Sequence, residues 1–287
     1  MRTSLDCIPC ILRQSLDAAR LVSEDPTVHE SILRDVLGWA GEMDLNQSPP
    51  AMAQRIHRKL REISGVYDPY REKKDRQNFL ASEIISSLRS KLETADDSLQ
   101  LAVRLAIAGN VIDLGVNGNL SVTDVRQAIN QSLTKPLVGE YDQFRKDLEK
   151  AQSILYLADN AGEIAFDRLL IENILPKRVT LVVRGAPVIN DATLADARAV
   201  GLDNIVEIID NGSDAPGTII SDCSPEFRWR FANADLIIAK GQGNFETLSE
   251  EPGNIYFLFK VKCPLVAELV NQPIGTQLLS KSRSGEK

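Results

Sequence analysis

Ile154-Leu155-Tyr156-Leu157-Ala158-Asp159-Asn160-Ala161-Gly162-Glu163 is the stretch that decides the fold. An apolar run that ends abruptly in an acid, an amide and a glycine reads as a strand buried on both faces and closed by a polar turn. The pattern recurs downstream. Val179-Thr180-Leu181-Val182-Val183 runs into Arg184-Gly185 and then Asn190-Asp191, and residues 205–209 into Asp210-Asn211-Gly212-Ser213. Residues 236–238 lead to Lys240-Gly241-Gln242-Gly243-Asn244, and residues 255–259 to Lys260 and Lys262. Helical periodicity over 164–175 and 192–200 separates several of these runs. Strand and helix in alternation predict an α/β, doubly wound, mostly parallel sheet with right-handed crossovers.

Upstream the texture differs. Leu12, Leu16 and Ala19, and Ile84, Ile85, Leu88 and Leu92, recur at the three- and four-residue spacing of amphipathic helices. Breakers fall at Ser48-Pro49-Pro50, at Asp68-Pro69 and between Gly115 and Asn119. We therefore expect an all-helical domain over 1–150 and an α/β core over 151–287, with the polar tail after Leu279 frayed.

The 287 residues suffice for that division, and 43% hydrophobic with 25% charged residues is a globular composition. A net charge of -7, from 40 acidic and 33 basic side chains, argues against a nucleic-acid partner. With His29 and His57 the only histidines, a poly-histidine zinc site is excluded. No apolar run reaches the ~18 residues of a membrane span. Four scattered cysteines fit a reducing cytoplasm rather than a disulfide scaffold. The sequence carries no reading of oligomeric state.

Ligands of open parallel sheets bind beyond the carboxyl ends of the strands, and here every such end is polar. Asp159 beside Asn160 suits a hard divalent cation, although an ordinary helix cap explains that segment alone at least as well. Asp191 belongs on the same ion or, alternatively, caps a helix starting at Ala192. Arg184, Lys240 and Lys262 offer cations on three separate strand ends, as phosphate held between fixed charges and a metal requires; solvated strand ends are the plainer reading. The 240–244 loop is not a Walker loop, and no Gly-x-Gly-x-x-Gly follows the first strand. Asn110 and Asp113 lie three apart on one helix face. Asp68-Pro69-Tyr70 reads as a turn before a basic helical face. Cys7 and Cys10 open a helix without a second pair to complete a zinc site, and read as reduced thiols.

Taken in order, Cys7-Ile8-Pro9-Cys10, Asp68-Pro69-Tyr70, Gly109-Asn110-Val111-Ile112-Asp113, Asp159-Asn160-Ala161-Gly162-Glu163, Arg184-Gly185 through Thr193, Lys240-Gly241-Gln242-Gly243-Asn244-x-Glu246 and Lys262-Cys263-Pro264 resemble the metal-dependent damage-control phosphatases. These are also called acidic-residue-methyltransferase-like proteins, formerly a domain of unknown function, and the cysteine pair resembles their prokaryotic branch. The resemblance implies a Rossmann-like three-layer α/β/α core with a mostly parallel sheet, packed on the helical domain. It implies one divalent metal ion (Mn, Ni, Co or Mg) on Asp159, Asn160 and Asp191. Asn110, Arg184, Asn190, Lys240, Asn244 and Lys262 would bind substrate, and Asp159, Asp113 and Glu163 are the candidates for the water's proton.

The activity expected is a cytoplasmic, metal-dependent hydrolysis of small phosphate monoesters: phosphosugars or damaged phosphometabolites. A covalent aspartyl-phosphate route is disfavoured because Asn160-Ala161 breaks the Asp-x-Asp pattern. Alternatives are an S-adenosylmethionine-dependent carboxyl methyltransferase, against which the missing glycine-rich loop counts, and a non-catalytic phosphometabolite-binding protein.

Overall fold

Ile154–Leu157 is a strand whose side chains alternate between two apolar layers. Ile154 and Tyr156 join one buried cluster, Leu155 and Leu157 the other. Both faces are covered, which explains why the run is hydrophobic without interruption. The computed structural model describes residues 1–110 and 121–282. In chain order the helices are α1 (Cys7–Val22), α2 (Pro26–Gly41), α3 (Pro49–Ser64), α4 (Arg71–Glu93), α5 (Ser98–Ala108), α6 (Val122–Thr134) and α7 (Tyr141–Lys150). They continue with α8 (Glu163–Asn173), α9 (Leu194–Ala199), α10 (Pro225–Asn233), α11 (Gly241–Leu248) and α12 (Pro264–Val270). The strands are β1 (Leu137–Gly139), β2 (Ile154–Leu157), β3 (Val179–Val183), β4 (Glu207–Asp210), β5 (Leu236–Lys240), β6 (Ile255–Lys260) and β7 (Gln277–Lys281).

These strands form one sheet in the order β1-β7-β6-β5-β2-β3-β4, parallel throughout except for the β6–β7 pair. The chain leaves β2 towards β3 and β4, then returns to add β5 on the other side of β2. That reversal makes the carboxyl ends of β2 and β5 the switch point where a doubly wound sheet opens a crevice. One layer packs α4 to α9 on Tyr156, Leu181, Ile238 and Leu258. The other packs α10, α11 and α12 on Leu157, Ile237, Phe257 and Phe259. The architecture is a three-layer α/β/α sandwich.

Two elements depart from the expectation. Leu137–Gly139 is a short strand within the stretch read as all-helical, and its pairing with β7 begins the sheet before residue 150. Three residues between two helices are too few to show a strand period. Ser280 and Lys281 are not frayed: they extend β7, antiparallel to Phe257 and Tyr256, and Lys281 Nζ donates to Asp147 at 2.7 Å. Packing also groups the helices differently from texture. Helices α4 to α7 share the core of the sheet, while α1, α2 and α3 form a separate small core around Ile11, Ala19, Ile32, Val36, Ile56 and Leu60. Among the described residues no helix is long and apolar enough to cross a membrane.

Candidate functional site

Two loops meet at the switch point. The first carries Asp159 and Asn160 from β2 into α8, and the second carries Asn190 and Asp191 after β3. Backbone hydrogen bonds lace them together: Ala161 N–H donates to Asn190 O at 2.8 Å and Ala192 N–H to Asp159 O at 2.7 Å, with an antiparallel bridge between Asn160 and Asp191. Neither acid serves as a cap. The residue preceding α8 is Gly162, at φ +73°, and the N-cap of α9 is Thr193, whose N–H and hydroxyl both donate to Asp196. Ile189, a β-branched residue at φ +46°, sits in the left-handed region just before Asn190. Such strain persists only where surrounding contacts over-determine the backbone.

Asp159 is buried, and burial together with the charges of Glu163 and Asp191 pushes its carboxyl well above the ordinary range. Its Oδ2 accepts from Asn160 Nδ2 at 2.7 Å. Gly241, at φ +79°, passes so close that a Cβ there would lie 2.0 Å from that oxygen, so this residue must be glycine. The donor chemistry suits an oxygen-seeking cation: two buried carboxylates, Asp159 and Asp191, and an amide whose nitrogen is committed elsewhere, to Asp159 and to Glu163. Among the described residues no three His, Cys, Asp or Glu side chains converge closely enough to hold an ion. The candidate set differs in taking an amide as its third donor.

Behind these loops lies a buried ionic network. Lys240 ends β5, and the alternation that sends Ile237 and Ala239 to one layer and Leu236 and Ile238 to the other sends Lys240 inward with the latter pair. Its three protons go to Ala106 O at 2.8 Å, Glu163 Oε1 at 2.7 Å and Asp167 Oδ1 at 2.6 Å. Burial opposes the charge on Lys240, but Asp167 and Glu163 outweigh it and hold the ammonium above its usual range. Glu163 also accepts from Asn110 at 2.9 Å and from Asn160 at 3.1 Å. Burial works against the Glu163 charge too; Lys240 and the two amides reverse that and hold the carboxyl below its ordinary value. Asp167, bonded by Tyr156 hydroxyl at 2.8 Å, is pushed up to about 6, chiefly by burial. Its Oδ2 has no hydrogen-bond partner among the described residues.

Arg184 takes the opposite parity, with Val182, and faces α11. Its Nε donates to Asp191 Oδ2 at 2.7 Å, while its terminal nitrogens reach Thr218 Oγ1 at 3.2 Å and Asn244 Oδ1 at 3.3 Å. Asn244 Nδ2 in turn donates to Lys240 O at 2.7 Å. The switch point thus brings together Asp159, Asn160, Glu163, Arg184, Asn190, Asp191, Lys240, Asn244 and Asn110, all buried. Lys262 lies exposed at the rim, its N–H on Gln242 Oε1 at 2.9 Å, and its charge opposes the rise of Asp159. Asn110 follows the end of α5 rather than riding its face. Asp113 lies outside the described residues.

Sequence reasoning missed Asp167, Thr218 and Asn78, whose Oδ1 accepts the Gly162 N–H at 2.7 Å. Asp167 had a weak signal: Glu163 and Asp167 lie four apart on α8, where like charges repel unless a cation answers them. Cys263 is not isolated in space either. Burial first, then Cys7, Cys263 and Glu246, raise the Cys10 thiol at the first turn of α1.

With this geometry in hand, comparison with known proteins is informative. Residues 3–278 match the model of the damage-control phosphatase ARMT1-like domain. A damage-control phosphatase from Archaeoglobus fulgidus is 36% identical, over 96% of this chain and 97% of its own. One from Pyrococcus horikoshii is 32% identical over 99% of both chains. The crystal structure of a DUF89 family protein from Pyrococcus horikoshii superposes with a TM-score of 0.90 at 30% identity, covering 99% of this chain and all of that one.

Proposed function

The chain belongs to the damage-control phosphatase ARMT1-like domain family, and from that premise we propose that its strand-end cleft hydrolyses small phosphate monoesters with a divalent cation held by Asp159, Asn160 and Asp191. At the level of the family it is a phosphatase of metabolite repair. The observation that carries the finer reading is an imbalance of buried charge. Among the described residues Asp159, Glu163, Asp167 and Asp191 are four buried acids, matched at the switch point by two buried cations, Lys240 and Arg184. The excess of two negative charges equals the charge of one divalent ion, and burial with the charges of Glu163 and Asp191 drives the Asp159 carboxyl upward.

A bound Mn²⁺, Co²⁺, Ni²⁺ or Mg²⁺ would polarise the phosphoryl group and acidify a water. The protein's own groups divide the remaining work. Lys262, exposed at the rim, attracts the anionic substrate. Arg184, fixed by Asp191, Thr218 and Asn244, supplies a preorganised positive charge beside the second acid. Asn190 stands beside Asp191 in the second loop, and Asn244, its amide nitrogen on Lys240 O, orients Arg184 through its oxygen. Lys240, its protons fully engaged, acts through Glu163 rather than on phosphate. Glu163, with both oxygens occupied by Lys240, Asn110 and Asn160, is a poor proton acceptor, which favours Asp159 over it.

The test is turnover of a panel of phosphosugars and other phosphometabolites with each of the four metals, for the wild type, Asp159→Ala and Asp191→Ala. Metal-dependent release of phosphate that falls about 1000-fold or more in both variants is expected, since several kcal/mol of charge stabilisation are removed. Full turnover by either variant would falsify the ligand assignment.

A further inference from the structure

Asn78 lies on α4, buried, and belongs to none of the strand-end motifs. Its amide makes two hydrogen bonds of opposite sense. Nδ2 donates to Asp196 Oδ1 at 2.9 Å, and Oδ1 accepts from Gly162 N–H at 2.7 Å. Asp196 is itself immobilised. Arg71 Nη2 reaches Oδ1 at 2.8 Å, and Lys74 Nζ reaches Oδ2 at 2.9 Å. Thr193 N–H and hydroxyl reach Oδ2 at 2.8 and 2.7 Å. Burial opposes the Asp196 charge, but Lys74 and the other donors hold the carboxyl below its ordinary range.

Thr193 stands two residues beyond Asp191, and Gly162 two beyond Asn160 and one before Glu163. Both loops that carry the proposed ligands therefore depend on one buried carboxylate. The second loop is tied to it by Thr193 directly, and the first only through the Asn78 amide. An amide donates to a carboxylate and accepts from a backbone N–H at once through two separate atoms, whereas a hydroxyl offers both roles only from a single oxygen. Aspartate would set two acids face to face, and alanine would leave the Gly162 N–H and one Asp196 lone pair unanswered.

We infer that Asn78 is a positioning residue of the site: by bridging Asp196 and Gly162 it fixes the Gly162 end of the 159–163 loop, adding to the backbone bonds that join that loop to 190–193, and so tunes the affinity for a divalent cation. It touches neither substrate nor ion. The part concerning cation affinity rests on the metal reading above; the loop-setting part rests on the hydrogen bonds alone.

The experiment is calorimetric titration of the intact wild type, Asp159→Ala, Asn78→Ala and Asn78→Asp with Mn²⁺, alongside amide exchange of the peptide containing Gly162. Ile32→Ala, in the separate α1–α3 core, serves as a control destabilised for an unrelated reason. Asn78→Ala is expected to weaken Mn²⁺ binding about 10- to 100-fold, as removal of an outer-shell partner does, and to speed exchange at Gly162. Ile32→Ala should leave both unchanged.

Asn78→Asp adds a readout that a purely structural role would not move. When protonated, the new carboxyl is a donor and an acceptor like the amide it replaces, so its affinity relative to wild type should recover as pH falls from about 8 to about 5. The corresponding ratio for Asn78→Ala should stay flat. Should Asn78→Ala not fold, this ratio decides, and a flat profile overturns the inference. Tight Mn²⁺ binding by Asn78→Ala, with binding lost in Asp159→Ala, overturns the inference and leaves the metal reading standing. Equal binding by wild type and Asp159→Ala sinks the metal reading instead; unchanged Gly162 exchange in Asn78→Ala would then overturn the loop-setting role as well.

Discussion

Asp214 and Asp159 both follow a strand of the same sheet, yet their electrostatic situations are opposite. Asp214 receives Arg58 Nη2 at 2.6 Å, Gln54 Nε2 at 2.6 Å and a short hydrogen bond from Arg61, all from α3. Arg61 also donates to Pro187 O at 2.5 Å, so this clamp holds α3 against two loops of the sheet. Burial would raise the Asp214 carboxyl, but hydrogen bonds from Arg58, Gln54 and Arg61 hold it below its ordinary value. Counting its neighbour Asp222, the clamp sets two acids against two arginines. The second network, on α4, sets its enclosed acids Asp68 and Asp196 against Arg71 and Lys74, with a third acid, Asp75, exposed on Arg71. Among the described residues the switch point buries twice as many acids as cations, and there the Asp159 carboxyl is driven far upward. Charge balance marks the parts that hold the fold together; the imbalance is the observation on which the proposed cation site rests.

The largest effect expected from disturbing that contrast comes from Lys240→Met. Breaking a buried ion pair on one side strands its partners and costs about 3–5 kcal/mol of stability. The sign with pH follows from the carboxyls released. Glu163, now held low, and Asp167, already near 6, would both rise further without Lys240. An acid whose folded value is raised weakens the fold as pH climbs through it. The deficit relative to wild type should therefore be greatest at neutral pH and shrink on acidification, as urea unfolding at several pH values will reveal. A deficit independent of pH would mean that Lys240 acts by packing alone.

His57 tests the balanced side. It is buried beside the clamp, with Tyr70 hydroxyl 3.4 Å from Nδ1, and burial followed by Arg61 lowers it from 6.5 to about 4. A histidine kept neutral in the fold takes up its proton more readily when unfolded, so stability falls as pH drops from 6.5 towards 4. At about 1.4 kcal/mol per unit, that shift amounts to about 3 kcal/mol over the whole window. Asp167 works with the opposite sign in the same range, since its folded carboxyl protonates first as pH falls. The signature is consequently the difference between wild type and His57→Gln, which should narrow by about that amount on acidification. Parallel stability curves would show that His57 titrates alike in the folded and unfolded chain.

Much of the sheet was legible because its strands are buried on both faces. Nothing but an apolar run fits such a strand, so residues 154–157, 179–183 and 255–259 declare themselves, as do the polar turns that follow. Edge strand β1 and its neighbour β7 did not, because Leu137–Gly139 is too short to carry a period and Gln277–Lys281 is half polar. In the cleft, residue types were readable while directions were not. Lys240 resembled a rim cation in sequence, and only its place in the alternation of β5 sends it inward to Glu163 and Asp167. Asn78 left no local signal. It acts on Gly162 from 84 positions away in the chain, and an asparagine on a helix is unremarkable until its partners are known.

The smallest expected effect sharpens the comparison from the clamp. Arg58 makes three hydrogen bonds to Asp214, as many as any side chain there, yet it is 52% exposed. Water screens an exposed guanidinium and already solvates it in the unfolded chain, which limits such a pair to about 0–1 kcal/mol. Asp214 would keep Arg61 and Gln54 in Arg58→Ala, so no buried charge is abandoned. Arg58→Ala should accordingly lower stability by less than about 1 kcal/mol, with the loss diminishing further in high salt, and leave phosphate release unchanged. Lys240 makes the same number of hydrogen bonds, but wholly buried, and its removal is expected to cost several times more. If the two variants lost equal stability, burial would not be what separates the clamp from the cleft, and the reading of their opposite charge balance would lose its physical basis.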